Sequence, residues 1–141
     1  MRLWHKDLLP VLPRQQLLGQ WRECNAIIGN IEKHETPNHI LVNRIMDYPL
    51  EHFVTFTKLV LLEMGSRGYK PNPARFFSWI SANDCIPMTK NQILFPDWHN
   101  DIYLRQCLYN LEEKAICGGI PTEEWQRIYE KFKDFTPLWK E

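Results

Sequence analysis

The sequence lacks any long hydrophobic run. No apolar stretch approaches the ~20 residues that a membrane-spanning helix needs. The amino terminus, Met1-Arg2-Leu3-Trp4-His5, contains no signal-like apolar segment. We therefore expect a soluble, cytoplasmic protein without a membrane partner.

The sequence also lacks net charge. Its 17 Lys and Arg residues balance 17 Asp and Glu residues, so no overall field draws the protein to nucleic acid or to a membrane surface. Basic residues exceed acidic ones in residues 1–90 and acidic ones exceed basic ones in residues 91–141, a difference typical of solvated helix faces. Composition alone does not indicate a DNA-binding protein.

The cysteine and histidine patterns of metalloproteins and disulfide-rich proteins are absent. The four cysteines include no CxxC pair, which favours a reducing compartment. The histidines lack ligand spacing with any cysteine. We therefore expect no metal site, and no motif indicates a cofactor.

What the sequence does contain is apolar residues at helical spacing. Its 141 residues, 44% of them hydrophobic, suffice for one core and one domain over residues 1–141. A first helix is predicted over residues 13–28, with Gly29 placed to end it. Its apolar stripe is formed by Leu17, Trp21, Cys24 and Ile28. Residues 30–43, which include Pro37, are predicted to form a loop or a short turn structure.

Four further segments show the same helical period. Pro49 suits the start of a second helix that stops at Gly65 or Gly68. Three prolines leave room only for a short helix over residues 75–81. A helix over residues 98–117 ends at two glycines, and a last helix runs over residues 122–135. No alternation of strand period and no repeat are found, so we expect an all-α fold.

One face of the first helix is unusual in composition. It carries Gln15, Gln16, Gly19, Arg22, Glu23 and Ala26. Glycine inside a helix costs roughly 0.5–1 kcal/mol relative to alanine, so Gly19 requires a reason. Close packing of another backbone is the commoner reason, and room for a ligand beside Arg22 and Glu23 is the other. Adjacent opposite charges such as these two are usually solvent-facing.

Several short motifs in one register resemble a known family. Met1-Arg2-Leu3, then Gln15, Leu17 and Arg22-Glu23, then Gly29 and Lys33-His34 resemble the opening of the pyrimidine dimer DNA glycosylase, or endonuclease V, family of phages and bacteria. Arg67-Gly68-Tyr69 resembles the Arg-Gly-aromatic ending of that family's second helix. Residues 12–20 and 96–101 resemble patterns of its bacterial branch.

The resemblance implies a DNA repair glycosylase with an associated abasic-site lyase activity, acting on ultraviolet-induced pyrimidine dimers. It implies a compact helical bundle with the N-terminal segment packed between helices. The nucleophile would be the α-amine of Met1, because an α-amino group has an ordinary pKa near ~7.7–8.0 and is partly neutral at cellular pH. This amine attacks the sugar C1′, displaces the base and forms a Schiff base, from which β-elimination cuts the strand. Glu23 falls on the family's catalytic glutamate.

The resemblance also implies a set of DNA contacts. Arg2 and Arg22 match arginines that bind phosphates near the lesion, and Gln15 matches a polar residue of the same site. Lys33 and His34 suit phosphate binding or an ordinary surface turn equally well. The expected partner is double-stranded DNA that contains pyrimidine dimers or abasic sites, bound by a monomer.

Three departures from the family pattern leave other functions open. Met1 directly precedes Arg2 where the phage enzyme exposes a threonine, Gln16 and Ala26 replace a family histidine and arginine, and the chain is not basic. A non-catalytic helical DNA-binding or interaction domain is one alternative. An abasic-site lyase without dimer specificity is another. The sequence assigns no chemical role to the segment Trp98 to Asp101.

Overall fold

A computed structural model of the protein describes residues 2–33, 40–85, 88 and 92–134. Within these ranges the chain is helical and contains no strand, so the predicted all-α fold is confirmed. The elements are a 3-10 helix Lys6–Val11 and the helices α1 Arg14–Lys33, α2 Ile40–Met46, α3 Leu50–Ser66, α4 Ala74–Ala82, α5 Asp101–Ile116 and α6 Thr122–Phe132.

The core forms around the pair α1 and α3. Leu17, Cys24 and Ile28 of the predicted stripe on α1 are buried, and Ile27 joins them. Trp21 lies at the edge of the stripe, where its ring meets Phe76 of α4 edge-on at a centroid distance of 6.5 Å. This arrangement leaves the opposite side of α1 facing solvent.

The first helix is longer than predicted. It continues past Gly29 to Lys33, and Gly29 makes room for a neighbouring side chain. A Cβ at Gly29 would lie 2.9 Å from Nη2 of Arg75, which also pairs with Glu32 at 3.5 Å. The glycine therefore admits the Arg75 guanidinium against the helix.

The predicted loop over residues 30–43 is wrong in both of its described parts. Residues 30–33 complete α1, and Ile40–Met46 forms α2. Val42 and Ile45 are buried three residues apart on one side of α2, and this short spacing was the available signal. His34 lies outside the described residues.

The other helices agree with the predictions except at some ends. Gly68 and Gly118 follow α3 and α5 with φ of +85° and +81°, the left-handed conformation that favours glycine. The helix α5 starts at Asp101 rather than Trp98, because the Asn100 side chain accepts the Tyr103 N–H at 3.0 Å and caps it. The helix α6 ends at Phe132, and Phe135 lies outside the described part of the chain.

The 3-10 helix was not predicted, and Arg67 holds its end in place. Arg67 donates from Nη1 to the Leu12 carbonyl at 2.8 Å and from Nη2 to the Leu9 carbonyl at 3.1 Å. Its Nε pairs with Glu63 at 2.8 Å. The Arg-Gly-aromatic motif therefore contributes an arginine that ties α3 to the end of the 3-10 helix, and this fixes where the N-terminal chain enters α1.

No helix in the described ranges is long and apolar enough to cross a membrane.

Candidate active site at the N-terminal segment

Residues 2–5, here called the N-terminal segment, are non-helical and pass between α1 and α5. Leu3 is fully buried, and Trp4 and His5 are nearly so. Such a buried segment has no neighbouring strand to satisfy its backbone, so side chains must supply the hydrogen bonds. This placement agrees with the expected N-terminal segment packed between helices.

Gln20 of α1 supplies two of those bonds. Its Oε1 accepts the Trp4 N–H at 2.8 Å, and its Nε2 donates to the Arg2 carbonyl at 2.9 Å. Gln20 is 1% exposed and lies among the apolar residues of the helix. Gln20 was not among the predicted site residues, although a glutamine on the apolar side of a helix is a signal, because a buried amide needs partners.

Glu23, one turn further along α1, holds the next backbone group towards the amino terminus. Its Oε2 accepts the Arg2 N–H at 2.7 Å, and the side chain is only partly buried. Glu23 makes no ion pair with Arg22, and none of the ion pairs among the described residues includes either side chain. Glu23 is thus a partner of the N-terminal backbone rather than of the adjacent arginine. Met1 lies outside the described residues.

The other side of the N-terminal segment is held from α5 and the turn before it. The Tyr103 hydroxyl donates to the Leu3 carbonyl, and Nδ1 of His99 accepts the Lys6 N–H at 3.1 Å. The segment Trp98 to Asp101, which had no role on sequence grounds, therefore anchors the start of the chain. Arg44 of α2 fixes this turn in place by donating to the Asp97 carbonyl at 3.2 Å and lying 5.7 Å from the Trp98 ring.

Burial determines the protonation states around the segment. It lowers the pKa of His5, and it lowers the pKa of His99 to about 3, with the charges of His5 and Lys6 adding to the effect. The His99 ring is accordingly neutral, as a ring that accepts an N–H at Nδ1 must be. Burial also raises the pKa of Tyr103, which keeps its hydroxyl protonated and donating.

Burial raises the pKa of both thiols near this place, Cys24 and Cys107. Cys24 lies one residue after Glu23, but burial raises its pKa to about 12, so the thiolate is not populated at neutral pH. Among the described residues, no group of His, Cys, Asp or Glu has the arrangement of a metal site. Within the described part of the chain, Glu23 supplies the carboxylate at the segment.

The outer face of α1 brings three of the predicted DNA contacts into line. These exposed residues are Gln15, Arg22 and Lys33. The first two are seven residues apart and the last two eleven, and both spacings are close to whole helical turns, so the three side chains project from nearly the same side of the helix. Gln15 to Lys33 spans about 27 Å at 1.5 Å per residue. Arg22 is not engaged by an acidic partner within the described part of the chain.

Gly19 lies on this same face, and the close-packing explanation for it is wrong. Among the described residues, a Cβ there would meet no atom nearer than Nη2 of Arg22, at 3.8 Å. No other backbone in the described ranges approaches Gly19, which is partly exposed beside Arg22. Ala26 is exposed on the same face, while Gln16 is turned inwards and its Oε1 is buried without a partner among the described residues.

Arg2 is separate from this exposed row. Its guanidinium lies 4.9 Å from the Trp4 ring centroid, and its charge opposes the rise in the pKa of Tyr103. Arg2 is therefore close to α5, while Arg22 faces solvent from α1. The structure brings Arg2 and Glu23 together through the backbone bond and leaves Gln15 and Lys33 at either end of the helix face.

Fold and site together define an all-α protein whose N-terminal segment is anchored beside a partly exposed carboxylate. The family model described as Pyrimidine dimer DNA glycosylase matches residues 1–76, which is more than half of the chain. The protein belongs to the pyrimidine dimer DNA glycosylase family, as its resemblance predicted. Comparisons with curated proteins and with solved structures found no match.

Proposed function

We propose that the protein cleaves a glycosidic bond at pyrimidine dimers in duplex DNA and then cuts the strand at the resulting abasic site, with the α-amine of Met1 as nucleophile and Glu23 as the acid and base. The observation that carries this proposal is the hydrogen bond from the Arg2 N–H to Glu23 Oε2, at 2.7 Å. It fixes a carboxylate beside the first peptide group of the chain. Membership of a family of DNA glycosylases supports the reaction class.

Covalent geometry brings the amine close to this carboxylate. The α-amine of Met1 is three bonds from the Arg2 nitrogen, and standard bond lengths limit the separation of the two nitrogens to about 4 Å. A carboxylate bonded to the Arg2 N–H is therefore near the amine whatever dihedral angle Met1 adopts. It is also partly exposed, so a sugar can approach it from solvent.

The proposed reaction uses these two groups in sequence. The neutral amine forms a bond to C1′ of the damaged nucleotide as the glycosidic bond breaks, and the sugar ring opens to an imine. Glu23 stabilises the positive charge that develops at C1′ and accepts the amine proton. Removal of a proton from C2′ then expels the 3′ phosphate, and water releases the imine. No step requires a cofactor.

DNA binding is proposed to use the exposed face of α1. Arg22 supplies a guanidinium for phosphate oxygens, with Gln15 and Lys33 on the same line. The span of about 27 Å covers several phosphates at ~3.4 Å per nucleotide of one strand. Arg2 and His34 complete the proposed contacts. Because the nucleophile and Glu23 belong to one chain, the site needs no second subunit, and we propose a monomer.

A lyase without dimer specificity is the second candidate, and the exposed Ala26 favours it. The family arginine expected at this position would strengthen binding to DNA, and here the position carries only the methyl group of alanine. An amine with Glu23 would still suffice at a sugar that has already lost its base. A third possibility, a domain that only binds DNA, would form no covalent adduct.

Borohydride trapping tests the proposal. Borohydride reduces an imine to a stable amine, so the native protein should become covalently attached to abasic duplex DNA and to irradiated duplex DNA. A short extension ahead of Met1 should abolish both adducts, while the same extension after the last residue should leave them intact. Trapping by the N-terminally extended protein would show that the nucleophile is a lysine side chain instead of the α-amine. Trapping on abasic DNA alone would support the lyase, and no trapping would support the binding domain.

A further inference from the structure

We propose that Tyr103 of α5 is a positioning residue for the N-terminal amine. It would act by holding the Leu3 carbonyl so that the start of the chain stays aligned with Glu23. The inference rests on the proposed function. It concerns a residue beyond residues 1–76, the part of the chain that the family model matches.

The N-terminal segment is fastened on two opposite sides. On the α1 side, Glu23 binds the Arg2 N–H, and Gln20 binds the Arg2 carbonyl and the Trp4 N–H. On the α5 side, the Tyr103 hydroxyl binds the Leu3 carbonyl. Successive carbonyls of an extended chain point in opposite directions. The Arg2 carbonyl therefore binds Gln20 on one side of the segment, and the Leu3 carbonyl binds Tyr103 on the other.

Tyr103 is itself rigidly held. Its ring lies 5.2 Å from that of His99 and 5.8 Å from that of Trp98, measured between centroids. The His99 ring is fixed in turn by the bond that it accepts from the Lys6 N–H. The hydroxyl therefore has a fixed position relative to α5. Its hydrogen bond fixes the position of the Leu3 carbonyl, two residues from the proposed nucleophile.

Loss of the hydroxyl should affect the chemistry more than DNA binding. Without it the Leu3 carbonyl loses its hydrogen bond, and the part of the segment between Gln20 and the His99 contact at Lys6 can shift relative to Glu23. Proximity effects are steep, and a displacement of about 1 Å at a reacting group costs up to ~10²-fold in rate. Three of the proposed phosphate contacts, Gln15, Arg22 and Lys33, lie on α1 and do not depend on Tyr103, whereas Arg2 belongs to the N-terminal segment.

The test compares Tyr103→Phe with Tyr109→Phe on the same helix. Tyr103→Phe keeps the ring and removes only the bonding hydroxyl. Tyr109 is 37% exposed, and its hydroxyl bonds to none of the described residues, so its loss controls for tyrosine removal on α5. For each variant, the single-turnover rate of borohydride trapping on abasic duplex DNA, the Kd for the same duplex and the melting temperature are measured. Hydrogen exchange at the Arg2 and Trp4 amides reports the position of the segment directly.

We expect Tyr103→Phe to trap at least ~10-fold more slowly than the parent, with its Kd changed less than ~2-fold. Exchange at the Arg2 and Trp4 amides should accelerate, while the α5 amides stay protected. Tyr109→Phe should match the parent throughout. An unchanged trapping rate and unchanged exchange would overturn the inference. A slower rate together with a higher Kd and weaker protection of the α5 amides would also overturn it, since Tyr103 would then only maintain the fold. Failure of the parent protein to trap would instead refute the proposed function.

Discussion

Glu23 lies at the border between the buried and the exposed sides of α1. Cys24 and Ile27 next to it face the core, and Arg22 and Ala26 face solvent. This border position lets one oxygen bind the Arg2 N–H while the carboxylate stays open to a ligand. A carboxylate deeper in the core would be desolvated, and one on the outer face would not reach the backbone of the N-terminal segment.

Glu23→Gln separates the chemical role of this residue from its structural role. Glutamine keeps an oxygen that can accept the Arg2 N–H, but it loses the charge and cannot shuttle a proton. We expect single-turnover cleavage of a thymine-dimer duplex to fall by ~10²-fold or more, the usual scale for a positioned acid or base. DNA affinity should hold or rise, because a negative charge facing phosphates is removed.

Glu32→Gln on the same helix is the matched control. Glu32 is exposed and pairs with Arg75 at the far end of α1, so this variant should cleave like the parent. Normal cleavage by Glu23→Gln would remove the catalytic assignment and leave Glu23 as an anchor for the backbone.

Some residues of the proposed site could be predicted from the sequence and others could not. Arg22 and Glu23 could be singled out only because they matched a family motif, since an adjacent pair of opposite charges has no distinctive physics. Gln20 carried a physical signal, a polar residue on an apolar face. Tyr103 carried none, because its partner is a main-chain carbonyl 100 residues away, and no local pattern predicts such a contact.

For the helix α1, the two faces have different roles. Its inner side builds the core and holds the N-terminal segment through Gln20. Its outer side presents Gln15, Arg22 and Lys33 over an open surface at Gly19. The protein carries no net charge. We therefore expect binding to DNA to depend on where the cations Arg22 and Lys33 lie rather than on an overall field.

Arg22→Ala tests this outer face. One lost phosphate contact should weaken binding to duplex DNA of any sequence and reduce the slope of log K against log salt by about one unit. A titration from low to moderate salt with undamaged duplex measures both effects.

The matched control for this titration is Arg127→Ala. It removes an exposed arginine from α6, which packs against the 3-10 helix and α5. Its salt slope should equal that of the parent. If Arg22→Ala and Arg127→Ala behaved alike, Arg22 would be an ordinary solvated charge.

Helix boundaries show where sequence patterns fail at this scale. Gly29 has the composition of a helix end, but it serves a tertiary contact with Arg75 on α4. The helix α2 is too short for its period to stand out from the polar residues around it. The glycines at 68 and 118 were interpreted correctly, because a left-handed residue at a helix end is a local requirement.

For the whole molecule, the main feature is that the start of the chain is held by its second half. The family model covers residues 1–76, yet His99 and Tyr103 bind the backbone of residues 3–6. His5 and His99 stack at a centroid distance of 5.3 Å in this junction, and both are neutral because of burial. The junction should therefore depend on pH.

Acidification should destabilise the fold through His99. Its pKa is lowered from 6.5 to about 3, so between these values the unfolded chain binds a proton that the folded one does not. Stability is then full above pH 6.5 and declines as the pH falls through this window, by up to about 1.4 kcal/mol per pH unit for one such group.

Denaturant unfolding at a series of pH values, for the parent and for His99→Asn, measures this effect. Asparagine keeps an acceptor for the Lys6 N–H but does not titrate. The variant is expected to be less stable at neutral pH, because ring contacts are lost, and to lose less stability on acidification. If the free energy of unfolding fell equally with pH in the two proteins, groups other than His99 would cause the acid sensitivity.

Identifying the atom that attacks the DNA tests the proposed role of the N-terminal amine. The protein is trapped with borohydride on an abasic duplex, digested with protease and nuclease, and the modified peptide is sequenced by mass spectrometry. We expect the sugar remnant to be attached to the α-nitrogen of Met1, on a peptide that begins with that residue. Attachment to the side chain of Lys6, Lys33 or any other lysine would contradict it.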